Sequence, residues 1–224
     1  MKTGNLLSLI LVTFLLAGAI ACDLLLAAQY KKTDLADPYK NFETVPVRSF
    51  RKLSITGGNG YAIQLQQGEQ FSLRLMKSRK SFFSLQQSED SLALSFKVAN
   101  QTYQKPGDCI VGLIITAPLL NYLKLTGANM VLTGFDSDRL FIQLDSSAQL
   151  RCSKLKIEHF FIEAARGASI DFQQLNHVDL LSLKLNNHAS ATLSDVVCNK
   201  FEQSVSDSAS IRFYGNSLKQ FLTH

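Results

Sequence analysis

Five segments of the chain align on an alanine that mostly follows a small residue: "LTGANMVLTGF", "DSSAQLRCSKL", "ARGASIDFQQL", "NNHASATLSDV" and "SDSASIRFYGN". The anchors are Ala128, Ala148, Ala168, Ala189 and Ala209, spaced 20, 20, 21 and 20 residues apart. Two positions after each stand Met130, Leu150, Ile170, Ala191 and Ile211, and four after stand Leu132, Cys152, Phe172, Leu193 and Phe213. Seven after come Phe135, Leu155, Leu175 and Val196, with a lapse at Asn216; twelve after come Leu140, Phe160, Leu180 and Phe201. Apolar columns held in register at a fixed period mark a repeat architecture. Alternation of two inside each unit makes the unit β. A leucine-rich repeat has a similar period, but its Leu and Asn pattern is absent.

The expected fold is therefore all-β: a single-stranded β-solenoid, right-handed and parallel-β-helix-like, with at least four coils of about 20 residues over residues 121–214. Each coil would hold two or three short strands and stack at about 4.8 Å. Columns two and four after the Ala would point inward. The column between them, Val131, Arg151, Asp171, Thr192 and Arg212, would point out and set Asp171 beside Arg151. The small-Ala pair reads as a tight corner. Gly127, Ser147, Gly167 and Ser208 suit it, and His188 is the exception.

Ahead of the repeats, Leu6 to Ala28 carries one charge, Asp23. A run of this length can cross a hydrocarbon core. Three readings stand: a signal peptide with its apolar run at Leu6–Leu16 and an A-x-A at Ala19 and Ala21, a lipoprotein leader acylated at Cys22, or an uncleaved anchor. Apolar "LLLAA" after Cys22 suits the anchor best, and each reading exports the rest of the chain. Lys31, Lys32 and Lys40 run against that orientation under the positive-inside rule, offset by one Lys and the amino group before the span.

The domain plan is a signal or anchor at 1–30, a linker at 31–46 broken by Pro38 and Pro46, and one β domain at 47–216. Within it, 47–116 would be an N-terminal cap and 121–214 the array. The cap reads as alternating runs "KLSIT", "YAIQLQQ", "FSLRLM", "SFFSLQQ" and "SLALSFKV", then apolar "CIVGLIITAP". No helix is expected after residue 30. The net charge is +5, with basic residues scattered singly. Nucleic-acid binding needs a basic stripe on a recognisable module, and neither is present.

With its recurring "TGANM", "RGASI" and "SDSASI" corners, the leading "FRKLSITGGNGYAIQLQQG" and the closing "IRFYGN", the chain resembles the head GIN domain family over residues 45–216. That family is described as candidate auto-transporter adhesins and has no established catalytic residues to transfer. The resemblance implies a non-catalytic, exported domain of the bacterial cell envelope, membrane-anchored or released, periplasmic or surface-exposed. Its role would be adhesion, structure or interaction, with no cofactor.

The residues themselves agree with a non-enzyme. Walker, dinucleotide, H-E-x-x-H, C-x-x-C and G-x-S-x-G patterns are absent. The cysteines are Cys22, Cys109, Cys152 and Cys198. Cys152 falls in an inward column as a small hydrophobe, and its register keeps it from bonding Cys198; Cys109 precedes the array and stays open. His177 and Cys198 each lie nine after their Ala, which would make them ladder neighbours about 5 Å apart. His159 and His188 fall in other columns, so no third metal ligand is evident and no catalytic, metal or cofactor residue is assigned. Among carboxylates, Asp145 and Asp207 are three coils apart, and Asp171 and Asp195 sit at different offsets, so no hydrolytic pair stands out. Tyr61, Tyr103, Tyr122 and Tyr214 are candidate anchors for a surface glycan or an envelope protein. A polysaccharide-binding or polysaccharide-active β-helix is the alternative. Aromatics and carboxylates gathered on one face would favour it.

Overall fold

A computed structural model describes residues 3–32, 39–57, 61–96 and 110–222. The chain forms two compact units, Met1–Asn41 and Phe42–His224. Among its described residues the first holds one helix, α1 (Thr3–Lys32). Its segment Leu11–Ala28 has a mean hydropathy of 2.3 and none of it is buried. At 1.5 Å per residue, the 30 residues reach about 45 Å, enough to span a bilayer core.

The second unit is mostly β. It opens with β1 (Phe42–Val45), β2 (Lys52–Thr56), β3 (Ala62–Gln67), β4 (Ser72–Met76), a short 3-10 turn, β5 (Phe83–Ser88), β6 (Ser91–Phe96) and β7 (Val111–Ala117). Next come β8 (Tyr122–Thr126), β9 (Asn129–Thr133), β10 (Asp136–Asp145), β11 (Gln149–Ser153) and β12 (Lys156–Ala164). The last are β13 (Ser169–Phe172), β14 (Asn176–Leu185), β15 (Ser190–Leu193), β16 (Val196–Val205) and β17 (Ser210–Phe213), followed by α2 (Gly215–Leu222). Residues 42–45, placed in the linker by the sequence, thus form a strand that pairs with β4. The helix α2 also departs from the expectation of none after residue 30.

Two sheets result, in the orders β1-β4-β7-β3-β9-β11-β13-β15-β17 and β16-β14-β12-β10-β8-β2-β6-β5. Both are mixed. The pairs β1–β4, β4–β7 and β5–β6 are antiparallel, so a uniform single-stranded solenoid does not describe the whole unit. From β8 onward every pairing is parallel, and each repeat contributes one short strand to one sheet and one long strand to the other. The strands β2 and β3 pair in parallel with β8 and β9, so both sheets run unbroken into the first part.

The repeat anchors stack in one line, four of them buried and Ala209 half-buried. Ala128, Ala148, Ala168 and Ala189 are at most 1% exposed. Gln149, Ser169, Ser190 and Ser210, which follow Ala148, Ala168, Ala189 and Ala209, each donate the N–H to the previous anchor's carbonyl. Three of the five corners are two-residue turns with both residues at positive φ: Ser146 and Ser147, Arg166 and Gly167, Asn187 and His188. Each closes with an N–H from the anchoring Ala to the carbonyl three residues back, at 3.1–3.2 Å. That is the mirror-image turn that suits tightly paired strands. His188 holds a φ of 64° there, so the corner is kept without glycine.

One residue of the repeat is displaced. The 21-residue spacing adds an extra position between Phe172 and Asn176, at a corner where Gln174 has φ 56°. Past it, the ladder pairs Asn176 with Val196 and Leu181 with Phe160 and Phe201. Leu175, expected inward, is 49% exposed, and Asn176 is fully buried in its place. Leu181 likewise takes the core position expected of Leu180. Asn176 is tolerated because it is fully hydrogen-bonded. Its Oδ1 accepts from Leu155 N–H, and its Nδ2 donates to the carbonyls of Gln173, Gln174 and Asp195.

A glycine matters in β7, which is buried on both faces around Leu113, Ile114 and Ile115. A Cβ on Gly112 would lie 2.8 Å from the Tyr61 side chain, so only glycine lets that ring close over the strand.

Candidate binding face

Each long strand breaks its alternation once. Asp138 and Arg139, then Glu158 and His159, are consecutive exposed pairs. Asp138, Glu158, Asp179 and Asn199 drop out of the ladder, so the strands bend there. The bend divides the outer surface of the eight-stranded sheet into a groove and a flatter face.

The flatter face carries an aromatic row. Tyr122 is the ladder partner of Phe141, and Phe141 of Phe161. All three point outward and are half-buried. The Tyr122 and Phe141 rings are parallel within 3° at 5.6 Å between centroids, and His159 stacks on Phe161 at 6.5 Å. Beside this row runs a polar one, Lys124, Gln143, Glu163 and Lys184. Tyr122 Oη donates to Gln143 Oε1 at 2.9 Å, and Lys184 Nζ meets Glu163 Oε1 at 3.3 Å. Burial, and the Glu163 charge after it, push the Tyr122 hydroxyl above its ordinary pKa, so it remains a donor. The combination is a rigid apolar strip edged by amide, carboxylate and ammonium groups.

The groove has a volume of about 520 Å³ and is lined by Asp136, Asp138, Lys156, Glu158, His177 and Asp179 among others. Lys156 Nζ is 3.1 Å from Asp136, and Asn199 donates to Asp179 at 3.0 Å. Asp138, Glu158 and Asp179 are exposed in the groove. Among the described residues no group of three His, Cys, Asp or Glu side chains is arranged to hold a metal ion.

The residues singled out from the sequence scatter. His177 and Cys198 are not neighbours: the extra residue shifts the register, pairing His177 with Val197 and Cys198 with Val178. His177 is exposed in the groove while Cys198 is buried in the core, on opposite faces of their strands. Cys152 is buried in β11 of the other sheet, and neither cysteine is in a disulfide. Burial pushes both up in pKa. Cys22 is exposed on α1.

Asp145 is held by a two-armed contact from Arg166, which keeps its carboxyl below the usual carboxylate range. Asp171 is the ladder partner of Arg151, as the stacking predicted, and accepts from Gln173 at 2.6 Å. Asp195 accepts from Asn216, and Asp207 lies exposed at its corner. Tyr61 lies 3.7 Å under the Arg79 guanidinium, and Tyr214 is 52% exposed after β17. Tyr103 and Cys109 lie outside the described residues. Of the three described tyrosines among the candidates, Tyr122 alone joins the candidate face. Phe141 and Phe161 were missed, although both stand thirteen positions after their Ala and form a column of their own.

No family model matches the chain, and no curated protein matches it. Solved structures do. A candidate adhesin from Parabacteroides merdae is 11% identical with a TM-score of 0.45, over 77% of this chain and 95% of that one. A candidate adhesin from Bacteroides fragilis is 14% identical with a TM-score of 0.40, over 79% and 98%. A candidate lipid-binding protein from Parabacteroides distasonis is 10% identical with a TM-score of 0.44, over 79% and 96%.

Proposed function

We propose that the chain is a non-catalytic binding domain of the bacterial cell envelope, held to a membrane by α1 and presenting the outer face of its eight-stranded sheet. Membership of the head GIN family, a solenoid reading of the parallel repeats over 121–214, and a cap at 47–116 belong to the same proposal. The observation that carries it is the aromatic row Tyr122, Phe141 and Phe161 beside the polar row Gln143, Glu163 and Lys184. Aromatic surface is the usual source of affinity in a recognition site, and the few polar groups beside it orient the ligand.

A polysaccharide is the ligand chemistry favoured by this face. Sugar rings offer C–H faces to aromatics and hydroxyls to amides and carboxylates, and a row along the strand stack suits an extended polymer. The test is binding of the full chain, in detergent micelles, to a glycan array. Phe141→Ala with Phe161→Ala should lower binding at least about tenfold, as expected for two anchors at roughly 1 kcal/mol or more each, with the CD spectrum unchanged. Binding that survives the double substitution would move the site elsewhere. Capture of an envelope protein without glycan binding would favour the protein-adhesion reading.

A further inference from the structure

Every coil of the array is covered by the next except the last. In β10, β12 and β14 the inward positions Ile142, Leu144, Ile162, Ala164, Leu183 and Leu185 are at most 1% exposed. Their counterparts in β16 are Gln203 and Val205, by ladder register, and both are exposed, Val205 to 40%. The strand β16 ends its sheet, and among the described residues no strand pairs with its outer edge. Among the described residues the cover lies at its start, where Ser217 of α2 bonds the N–H and carbonyl of Val196. Proteins usually guard such an edge with inward charges, prolines or bulges. Here the stretch from Phe201 to Val205 has no proline and no inward charge.

We propose that two copies of this chain join end to end through β16, pairing antiparallel about a two-fold axis at Gln203. The backbone selects this register. Ser206 N–H donates to Leu185 on the covered side. By alternation Glu202 and Ser204 use that side too, so Gln203 and Val205 turn their N–H and C=O groups to the open edge. Centring on Gln203 puts Phe201 opposite the partner's Val205, both inward, and Glu202 opposite Ser204, both outward. No like charges meet, since Lys200 falls opposite Ser206. A pairing centred on Glu202 would set that carboxylate against its own copy, which is unfavourable. One centred on Phe201 would run the second strand toward the segment that α2 covers. The self-complementary register is the argument for a second copy over any other partner.

The test uses the full chain in detergent with Cys22 and Cys109 changed to Ser. Gln203→Cys places two thiols at a hydrogen-bonded pair, about 5.5 Å between Cα atoms, within disulfide reach. Mild oxidation should give a covalent dimer. Lys200→Cys should give none, because the two copies of residue 200 lie six residues apart along the strands, about 20 Å. Light scattering should give twice the 24.8 kDa chain mass for the wild type. Gln203→Lys, which sets two ammonium groups together at the axis, should halve it with an unchanged CD spectrum. A monomeric wild type, a dimer that persists in Gln203→Lys, or crosslinking at residue 200 instead of 203 would each overturn the proposal. Dimers held by α1 alone would show themselves by the second outcome.

Discussion

Position along the stack should set the cost of losing a core ring. Phe172 and Phe213 occupy the same offset in the short strands β13 and β17, which flank Leu193 of β15 on either side. Each meets a partner ring edge-on at nearly the same separation: Phe160 at 6.0 Å and 79°, Phe201 at 5.9 Å and 83°. They differ in covering. Phe172 is 0% exposed between Cys152 and Leu193, whereas Phe213 has a strand on one side only and is partly exposed. Truncating a fully buried Phe to Ala costs about 3–5 kcal/mol through lost transfer energy and the cavity left behind. With one of two covering coils absent, roughly half of that remains, so Phe213→Ala should cost about 2 kcal/mol. The assay is urea unfolding of the full chain in micelles, followed by the β-sheet CD signal. The Gln203→Lys background keeps end-to-end pairing from covering the last coil. Equal costs for the two variants, or a larger one at Phe213, would refute the idea that each coil is stabilised by its neighbours.

Asn176→Leu should destabilise by about 2–3 kcal/mol although it restores an apolar side chain, because Leu155 N–H and three carbonyls lose their partner; a stabilised variant in the same urea assay would contradict this. Cys152 and Cys198 should both stay silent to a thiol reagent in the folded chain and both react after unfolding, with no Cys152–Cys198 peptide in a non-reduced map. Arg166→Ala should return the Asp145 carboxyl to the ordinary range in an NMR titration. Because Asp145 is depressed in the folded chain, its contribution to stability is present above the ordinary Asp pKa of about 3.9. That contribution is lost as pH falls through the lowered value, so the acid side of the stability curve should flatten in the variant.

The array was legible because stacking forces chemistry into columns. The alanines at the corners, Ala128, Ala148, Ala168 and Ala189, stack into one buried column, so they mark the period without any structure. Parallel pairing at that period then brings Arg151 beside Asp171, as the offsets said. The same arithmetic failed past Gln174, where one added residue turned Leu175 outward and Asn176 inward. Side-chain type alone pointed the wrong way there, because what admits Asn176 is four backbone partners that come together only after folding. That single slip also dissolved the His177–Cys198 pair, which had rested on counting from the anchor.

The first part, 42–117, has no period to count. Its antiparallel pairings of β1, β4 and β7 depend on turns and long-range contacts that alternation does not reveal. The helix α2 was missed because eight residues carry too few turns for a periodic signal, and its place is fixed by Ser217 reaching β16. The candidate face was within reach of the repeat logic. Phe141 and Phe161 share an offset one beyond the last column that defined the core, and side chains one position apart on a strand face opposite ways. A repeat that fixes its buried columns therefore also fixes its exposed ones. In a stacked β array, an exposed column that stays aromatic over successive coils is where a binding surface should first be sought.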